Sequence, residues 1–214
     1  MTGEQLWASI LQEAISGRLV PQLDSEPEVK QIGEAPKEVP FEIPKKWKWV
    51  RIDSVSLIKQ GGTPKTNEYT YWNNGTIPWI TPADLGRNKE KKYISKGERF
   101  ITQKGLDHSS AFLVPENSII YSSRAPIGYI AIAKNYISTN QGCKSIIPNK
   151  KYIYFEWIYY SLINRTDDII SRASGTTFLE ISTKKFSETL IPLPPIQEQQ
   201  RIVDKLKLLQ FLIK

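Results

Sequence analysis

The segment Ile191–Leu206, IPLPPIQEQQRIVDKL, decides the fold because it joins a proline-rich approach to an amphipathic helix. Pro192, Pro194 and Pro195 favour an extended approach, and Pro195 suits a first helical position, where its missing N–H leaves no bond unmade. Apolar side chains then recur at spacings of four, three and four: Ile202, Leu206, Leu209 and Ile213. No Gly or Asn closes this pattern before Lys214. We therefore predict a helix over residues 195–214 whose apolar stripe needs a partner.

A second amphipathic helix is predicted near the other end, over residues 4–20. Its apolar stripe and the side chains beside it are Leu6, Ile10, Ala14, Trp7 and Leu11. Gly17, followed by Arg18, is typical of a helix C-terminus. Residues 21–43 are acidic and contain prolines, which favours an extended linker.

Charge is distributed unevenly along the 214 residues, whose net charge is +7. Residues 1–43 carry 3 basic and 8 acidic groups (net −5), whereas residues 44–195 carry 22 and 12 (net +10). A basic body rich in aromatic residues favours nucleic acid as the partner. The chain has no long apolar run and no secretory leader, so we expect a cytoplasmic protein with no membrane contact. The one cysteine, Cys143, fits a reducing compartment and a small core residue.

The basic segment, residues 44–195, is predicted to be rich in β-strands. Turn signals separate short β-branched segments, which we predict as strands at residues 47–57, 76–81, 98–102, 118–124, 128–133 and 143–148. The aromatic stretch 152–170 indicates one long helix with a buried face, and residues 171–190 a loop and a short helix. The predicted fold class is α+β: a β-rich domain with a mixed, twisted sheet, bracketed by two amphipathic helices that pack in a coiled-coil-like spacer.

A search for catalytic or metal-binding patterns finds little. His108 has no ligand-spaced companions, and GGTPKT departs from the phosphate-binding loop G-x-x-x-x-G-K-[ST]. Asp84, Glu90 and Lys92 resemble the carboxylates and lysine of a metal-dependent nuclease, although a solvated charge run explains them more simply. We expect no catalytic residue, no metal and no cofactor, and a self-contained nuclease stays open as an alternative.

Polar loops, in contrast, favour a nucleic-acid-binding function. Three segments, GGTPKTN, YSSRAPIG and SRASGTTF, place hydroxyls, amides and arginines around glycine or proline turns, as contacts to phosphates and base edges require. With the basic residues nearby, the predicted DNA contacts are Lys59, Thr63, Lys65, Thr66, Asn67, Arg87, Lys89, Lys91, Ser123, Arg124, Lys144, Arg172, Thr176, Thr177 and Lys184. An RNA- or protein-binding module is the second alternative.

The chain resembles a specificity subunit of Type I restriction–modification systems. The resemblance rests on IPKKWKWVRIDSV, GGTP, YWNNGTIPWITPADL, SSRAPIGYIAI, TNQGCKSI, SGTTFLEIS and IPLPPIQEQQRIVDKL, in the family's order. It implies a distal spacer helix at 1–20, the acidic linker at 21–43, a target recognition domain at 44–194 and a proximal spacer helix at 195–214. It also implies that double-stranded DNA is the ligand and that catalysis belongs to partners, a methylation subunit using S-adenosylmethionine and a restriction subunit using ATP and Mg²⁺.

The family's subunit usually has two recognition domains and two long helices, whereas one domain and two short helices are present here. We therefore expect half of such a subunit, natural or excised. Its helices would pair with each other and with a second copy or the other half, through Leu6, Trp7, Ile10, Leu11, Ala14, Ile202, Leu206, Leu209 and Ile213.

Overall fold

The computed structural model describes residues 2–175 and 179–213. Its elements in chain order are α1 (Gly3–Ile15), β1 (Lys48–Arg51), α2 (Ile52–Val55), β2 (Ser56–Gln60), a 3₁₀ turn (Tyr69–Tyr71), β3 (Ile77–Ile80), α3 (Pro82–Arg87), β4 (Tyr93–Ile94), β5 (Arg99–Ile101), α4 (Gln103–Asp107), β6 (Ile119–Ser123), β7 (Ile127–Ala133), β8 (Ser138–Thr139), β9 (Cys143–Pro148), α5 (Phe155–Asn164), α6 (Thr166–Ser171), α7 (Thr183–Ser187), β10 (Leu190–Leu193) and α8 (Ile196–Ile213).

The chain divides into two compact units. The first comprises Met1–Val55, Asn149–Arg165 and Glu188–Lys214, and the second comprises Ser56–Pro148 and Thr166–Ser187. The predicted recognition domain, 44–194, is therefore shared between them. The reason is that α5 packs with the terminal helices in the first unit, and that β10 packs with α5 and pairs with β1.

In the first unit, α1, α5 and α8 pack against one another beside the antiparallel pair β1–β10. A capping box at Thr2 starts α1, which ends at Ile15 with Gly17 in the left-handed region (φ +76°). The predicted helix over 4–20 is thus correct in kind but too long at its C-terminal end. The buried faces meet through Leu11, Ala14, Ile15, Trp157, Tyr160, Ile202, Val203 and Leu206.

The acidic linker, residues 21–43 of the first unit, has neither helix nor strand, but side chains of the same unit hold it in place. Arg201 on α8 holds the carboxylate of Glu26 at 2.8 Å and also bonds the carbonyl oxygen of Pro21. Lys46 donates to three linker carbonyls, those of Leu23, Asp24 and Glu26. Since Glu26 is almost fully buried, we expect the linker and α8 to unfold together.

In the second unit, a mixed five-stranded sheet has the order β2-β9-β6-β7-β4, in which only β4–β7 is parallel among the described strands. A three-stranded sheet, β5-β3-β8, accompanies it. The core of this unit comprises Ile80, Leu85, Ile94, Val114, Ile120, Ala131, Ala133, Ile137 and Cys143. The expectation that Cys143 is a small core residue is confirmed, and the fold class is mixed α and β as predicted.

Several predicted elements differ in detail from the structure. Residues 47–57 are not one strand, because α2 interrupts them between β1 and β2. Residues 152–170 are not one helix, because α5 ends at Asn164 with Arg165 as its C-cap. The short elements α3, α4, β4 and β8 and the 3₁₀ turn were not predicted either. None of the described helices is long and apolar enough to cross a membrane.

Candidate nucleic-acid interface

The glycine-rich loop after β2 lies against neighbouring backbone, and this explains both of its first two residues. A Cβ at Gly61 would lie 2.2 Å from the carbonyl oxygen of Asn140. One at Gly62 would lie 2.4 Å from the carbonyl carbon of Ser110. Gly62 also donates its N–H to the carbonyl of Thr139 at 2.9 Å. Only glycine permits these approaches, so the loop is held in one place.

Two tryptophans hold the glycine-rich loop in place through hydrogen bonds to its backbone. Trp79 donates its indole N–H to the carbonyl of Gly62 at 2.9 Å, and Trp72 donates to that of Lys65 at 3.0 Å. Their rings pack edge to face, and the guanidinium of Arg99 lies 3.5 Å from the Trp72 ring centroid. The three predicted contacts at the loop tip, Lys65, Thr66 and Asn67, are exposed on this rigid support.

The turn after β6 presents Arg124 but not Ser123. Ser123 is fully buried and donates its hydroxyl to the carbonyl of Gly142, so its prediction as a DNA contact is wrong for this fold. Arg124 remains accessible and lies 3.8 Å from the carboxylate of Glu180. A Cβ at Gly142 would be 3.1 Å from Nε of Arg124 and 2.9 Å from the Pro82 ring, so this glycine leaves room for the guanidinium.

Arg124 lines an open cleft of about 450 Å³, called the Arg124 cleft below. Its lining residues are Thr81, Pro82, Ala83, Arg124, Ala125, Asn140 and Glu180. A guanidinium and an amide therefore stand beside apolar surface, a combination that suits the polar edge and the face of a nucleic-acid base. The Asn140 side-chain oxygen accepts the N–H of Gly142, which fixes this amide.

Two glutamines that were not predicted connect the loops. The Gln60 amide donates to the carbonyl of Gln141 at 3.1 Å, and Thr183 donates its hydroxyl to Gln60 at 3.0 Å. Thr63 donates its hydroxyl to the side-chain oxygen of Gln141. Gln60, Thr63, Arg124, Gln141 and Thr183 are called the reading cluster below.

The turn formed by residues 140–142 holds the reading cluster together. Asn140 lines the Arg124 cleft, Gln141 bonds Gln60 and Thr63, and Gly142 leaves room for Arg124. Gln141 belongs to the stretch TNQGCKSI, which is one of those that carried the family resemblance. Gln141 itself was not predicted as a contact. Its pairing with Gln60 joins residues 81 positions apart, which no local pattern reveals.

Lys144 does not reach the surface. Its side chain is fully buried in β9, and its ammonium has no hydrogen-bond partner within the described part of the chain. Burial lowers the pKa of Lys144 from its ordinary value, because an apolar surrounding disfavours the charged form. The prediction that Lys144 contacts DNA is therefore wrong for this fold.

The third predicted loop is only partly described. Arg172 donates twice to the carboxylate of Asp168 and once to the carbonyl of Lys185, so its guanidinium braces α6 and α7. Lys184 is exposed on α7. Thr176 and Thr177 lie outside the described residues.

Asp84 has a structural role in α3. Its carboxylate accepts from the N–H and hydroxyl of Thr81, the N–H of Glu98 and the guanidinium of Arg87, at 2.6–2.9 Å. Burial alone would raise the pKa of Asp84, but these bonds outweigh it and lower the pKa. No group of residues that could hold a metal occurs in the part of the chain that the structure describes. The carboxylate is fully engaged, which removes the observation that suggested a nuclease centre around Asp84, Glu90 and Lys92.

The remaining predicted contacts occupy different positions on the second unit. Lys59 is exposed on the edge strand β2, 5.8 Å from the Phe112 ring centroid. Arg87 ends α3 and is half exposed, while Lys89 and Lys91 are exposed in the turn that follows. Whether these residues contact DNA stays a prediction.

The terminal helices pair as expected within the first unit. A Cβ at Gly3 would touch Ile213, and Gln22 beyond α1 bonds Glu198 at the start of α8, so the two helices run antiparallel. Leu11, Ala14, Ile202 and Leu206 are buried. Of the other predicted pairing residues, Leu6 is exposed and the rest are half-buried: Trp7, Ile10, Leu209 and Ile213. Phe211 and Leu212 expose 79% and 68% of their area on α8, and neither was predicted to do so.

Glycine-fixed polar loops on a mixed sheet, in a chain with paired terminal helices, are the arrangement that the resemblance to a specificity subunit implied. The profile of the family described as Type I restriction modification DNA specificity domain matches residues 44–212. The chain belongs to this family.

Curated relatives agree with this assignment, and a solved structure has a similar fold. The chain is 42% identical over 174 residues to the Type I restriction enzyme MjaIX specificity subunit of Methanocaldococcus jannaschii, covering 80% of this chain and 40% of the relative. It is 36% identical over 162 residues to the EcoR124I/EcoR124II specificity subunit of Escherichia coli, covering 73% and 39%. The HsdS subunit from Thermoanaerobacter tengcongensis has a similar fold, with a TM-score of 0.67 at 21% identity over 99% of this chain and 44% of that one. The chain thus spans about 40% of the length of these curated relatives.

Proposed function

We propose that this chain reads a sequence in double-stranded DNA as a non-catalytic specificity component of a Type I restriction–modification enzyme. The observation that carries the proposal is the 140–142 turn, which gathers a guanidinium and two amides from distant segments onto one fixed support. Family membership supports it, since the matching profile is that of a DNA specificity domain.

The chemistry of the reading cluster suits the major groove. Arginine pairs with guanine through O6 and N7, and glutamine pairs with adenine through N6 and N7. Each good pair contributes about 1–3 kcal/mol of discrimination against the wrong base. The exposed lysines, including Lys59, Lys65 and Lys184, neutralise phosphates and supply affinity without sequence preference.

The catalytic steps belong to partner subunits in this proposal. A methylation subunit supplies S-adenosylmethionine chemistry, and a restriction subunit supplies cleavage with ATP and Mg²⁺. Support comes from the relatives, which are named as specificity subunits of Type I restriction enzymes. A cytoplasmic location follows, because the chromosome and these partners are there.

The terminal helices supply the assembly surface. Phe211 and Leu212 on α8 and Leu6 on α1 leave apolar area exposed next to the buried α1–α8 contact. Such surface is typical of a protein–protein interface. We assign it to a second recognition half, supplied by a second copy or by a longer chain of the kind the relatives have.

Selection from random duplex DNA tests the proposed function. The purified chain is incubated with the library in the presence of a cognate methylation subunit, and bound duplexes are sequenced. Enrichment of a defined half-site, or of two such sites with two-fold symmetry, is expected. Bound pools that remain random after repeated rounds would contradict sequence reading, and equal retention of RNA would favour the alternative module.

A further inference from the structure

A second cleft in the second unit has a strongly basic lining. It measures about 440 Å³ and contains four lysines, Lys91, Lys92, Lys96 and Lys134, with Asn88 and Tyr93 between them. None of the lining residues that the structure describes is acidic. Only Lys91 was predicted as a DNA contact, because Lys96 and Lys134 belong to segments that show no motif. This surface is called the lysine cleft below.

Backbone hydrogen bonds fix the turn and the strands that carry the lysines of the lysine cleft. Asn88 donates its amide to the carbonyls of Lys91 and Tyr93, at 3.0 and 3.2 Å, which closes the turn after α3. The parallel ladder β4–β7 then joins the two sides of the cleft. The backbone N–H of Ile132 donates to the carbonyl of Lys92 at 2.8 Å, and the backbone N–H of Lys134 donates to the carbonyl of Ile94 at 2.9 Å.

Several positive charges around one open cleft raise the local electrostatic potential, which attracts anions. Lys91, Lys96 and Lys134 are exposed, so the cleft is open to a ligand from solvent. Tyr93 exposes 39% of its area between them and offers a ring against which a sugar can pack. Phosphate groups linked by sugars match this combination of cations and an aromatic surface.

The lysine cleft lies close enough to the Arg124 cleft for one DNA duplex to reach both. Pro82 and Ala83 at the start of α3 line the Arg124 cleft, and Asn88 directly after its end lines the lysine cleft. A helix of this length spans about 9 Å at about 1.5 Å per residue. Successive phosphates of one strand advance about 3.4 Å along the duplex axis, so the separation corresponds to roughly three nucleotides.

We propose that the lysine cleft is a phosphate-anchoring site, which holds the sugar–phosphate backbone of the duplex whose bases face the reading cluster. This inference rests on the proposed function and adds to it the residues that fix the register of the DNA. The site contributes affinity and salt dependence but no sequence preference.

The test compares two triple variants that remove the same charge. In the cleft variant, Lys91, Lys96 and Lys134 become glutamine. In the control variant, three exposed lysines of the first unit become glutamine: Lys37, Lys150 and Lys151. Fluorescence anisotropy with a random-sequence duplex, at several salt concentrations, gives log K against log [salt] for each protein. Random duplex suffices, because non-specific binding is electrostatic.

The wild-type slope should become shallower by about 0.9 for each phosphate contact that the cleft variant loses. We expect a change of about 1–3 for the cleft variant and none for the control. A third variant with arginine at the same three cleft positions should keep the wild-type slope, because it keeps the charge.

Three results would overturn the lysine-cleft proposal. The first is equal slopes for cleft and control variants, and the second is a reduced slope in the arginine variant. The third is calorimetric binding of inorganic triphosphate at the cleft that duplex DNA does not displace, which would show a site for free anions. Failure of the proposed function looks different: the slopes would change as described, yet selection would enrich no sequence.

Discussion

Replacing Asp84 by asparagine tests whether this carboxylate organises α3. The asparagine side chain would keep one acceptor oxygen. In place of the other oxygen it would carry an NH₂ group, a donor, and this donor would point at the donors that the carboxylate oxygen now accepts from. Either the pair Arg87 and Glu98 or the two donors of Thr81 would then lose their acceptor. A buried backbone N–H without a partner costs about 1–3 kcal/mol, and the half-exposed Arg87 pair adds at most about 1. We expect Asp84→Asn to lower the free energy of unfolding by about 1–4 kcal/mol.

Urea unfolding monitored by tryptophan fluorescence measures this difference. With a slope of about 2 kcal/mol per molar urea, the midpoint should fall by roughly 1 M. The matched control is Asp53→Asn, because Asp53 forms an exposed ion pair with Arg51 at 2.8 Å and such pairs contribute less than about 1 kcal/mol. If Asp84→Asn and Asp53→Asn unfold at the same urea concentration, the structural role given to Asp84 is wrong.

The same comparison depends on pH in a defined direction. The pKa of folded Asp84 is lowered, so its contribution is present above the unfolded value of about 3.9 and is lost as pH falls through the folded pKa. Wild type and Asp84→Asn should therefore differ most near neutral pH and converge in strong acid. A difference that grows on acidification would refute the bonding scheme.

Further predictions concern the loop, the buried lysine and the assembly surface. Gly61→Ala places a Cβ 2.2 Å from the carbonyl oxygen of Asn140, so it should weaken duplex binding at least about tenfold by anisotropy; unchanged binding would contradict the role of the 140–142 turn. Lys144→Met should raise the free energy of unfolding by about 1–3 kcal/mol and leave the salt slope of DNA binding unchanged, since it removes a buried, unpaired cation. The double variant Phe211→Glu, Leu212→Glu should abolish the self-association of the chain, as measured by light scattering. A wild-type chain that is monomeric at all concentrations would contradict self-association through this surface and would favour a different chain as its partner. Mg²⁺-dependent DNA cutting by the purified chain that is lost in Asp84→Ala would support the alternative of a self-contained nuclease.

Local patterns predicted the elements with long or regular signals. The stripe from Ile202 to Ile213 became α8, and the strands at 118–124 and 143–148 became β6 and β9 within one or two residues. Short elements such as α3 and β4 carry too few residues for a period to show. Their positions also depend on bonds between segments, for example the one that the N–H of Glu98 donates to Asp84 in α3.

Side-chain exposure was the least predictable feature of the candidate site. Alternation in β9 places Cys143 and Lys144 on opposite faces, which favours an exposed lysine if one face meets solvent. In this sheet both faces of β6 and the first four residues of β9 are buried, so Ser123 and Lys144 point into the protein. Thr63 and Arg124 of the reading cluster were predicted contacts, but Gln60 and Gln141 were not, because their role depends on hydrogen bonds between segments far apart in sequence.

The central claim is that the reading cluster makes this chain distinguish one duplex sequence from another. The most direct measurement is the ratio of dissociation constants for a selected duplex and its scrambled counterpart, at one fixed salt concentration with the methylation subunit present. We predict at least about a tenfold preference for the selected duplex, which a Gln60→Ala, Gln141→Ala variant reduces while its affinity for the scrambled duplex stays the same. Equal dissociation constants for the two duplexes with the wild-type chain would contradict the account.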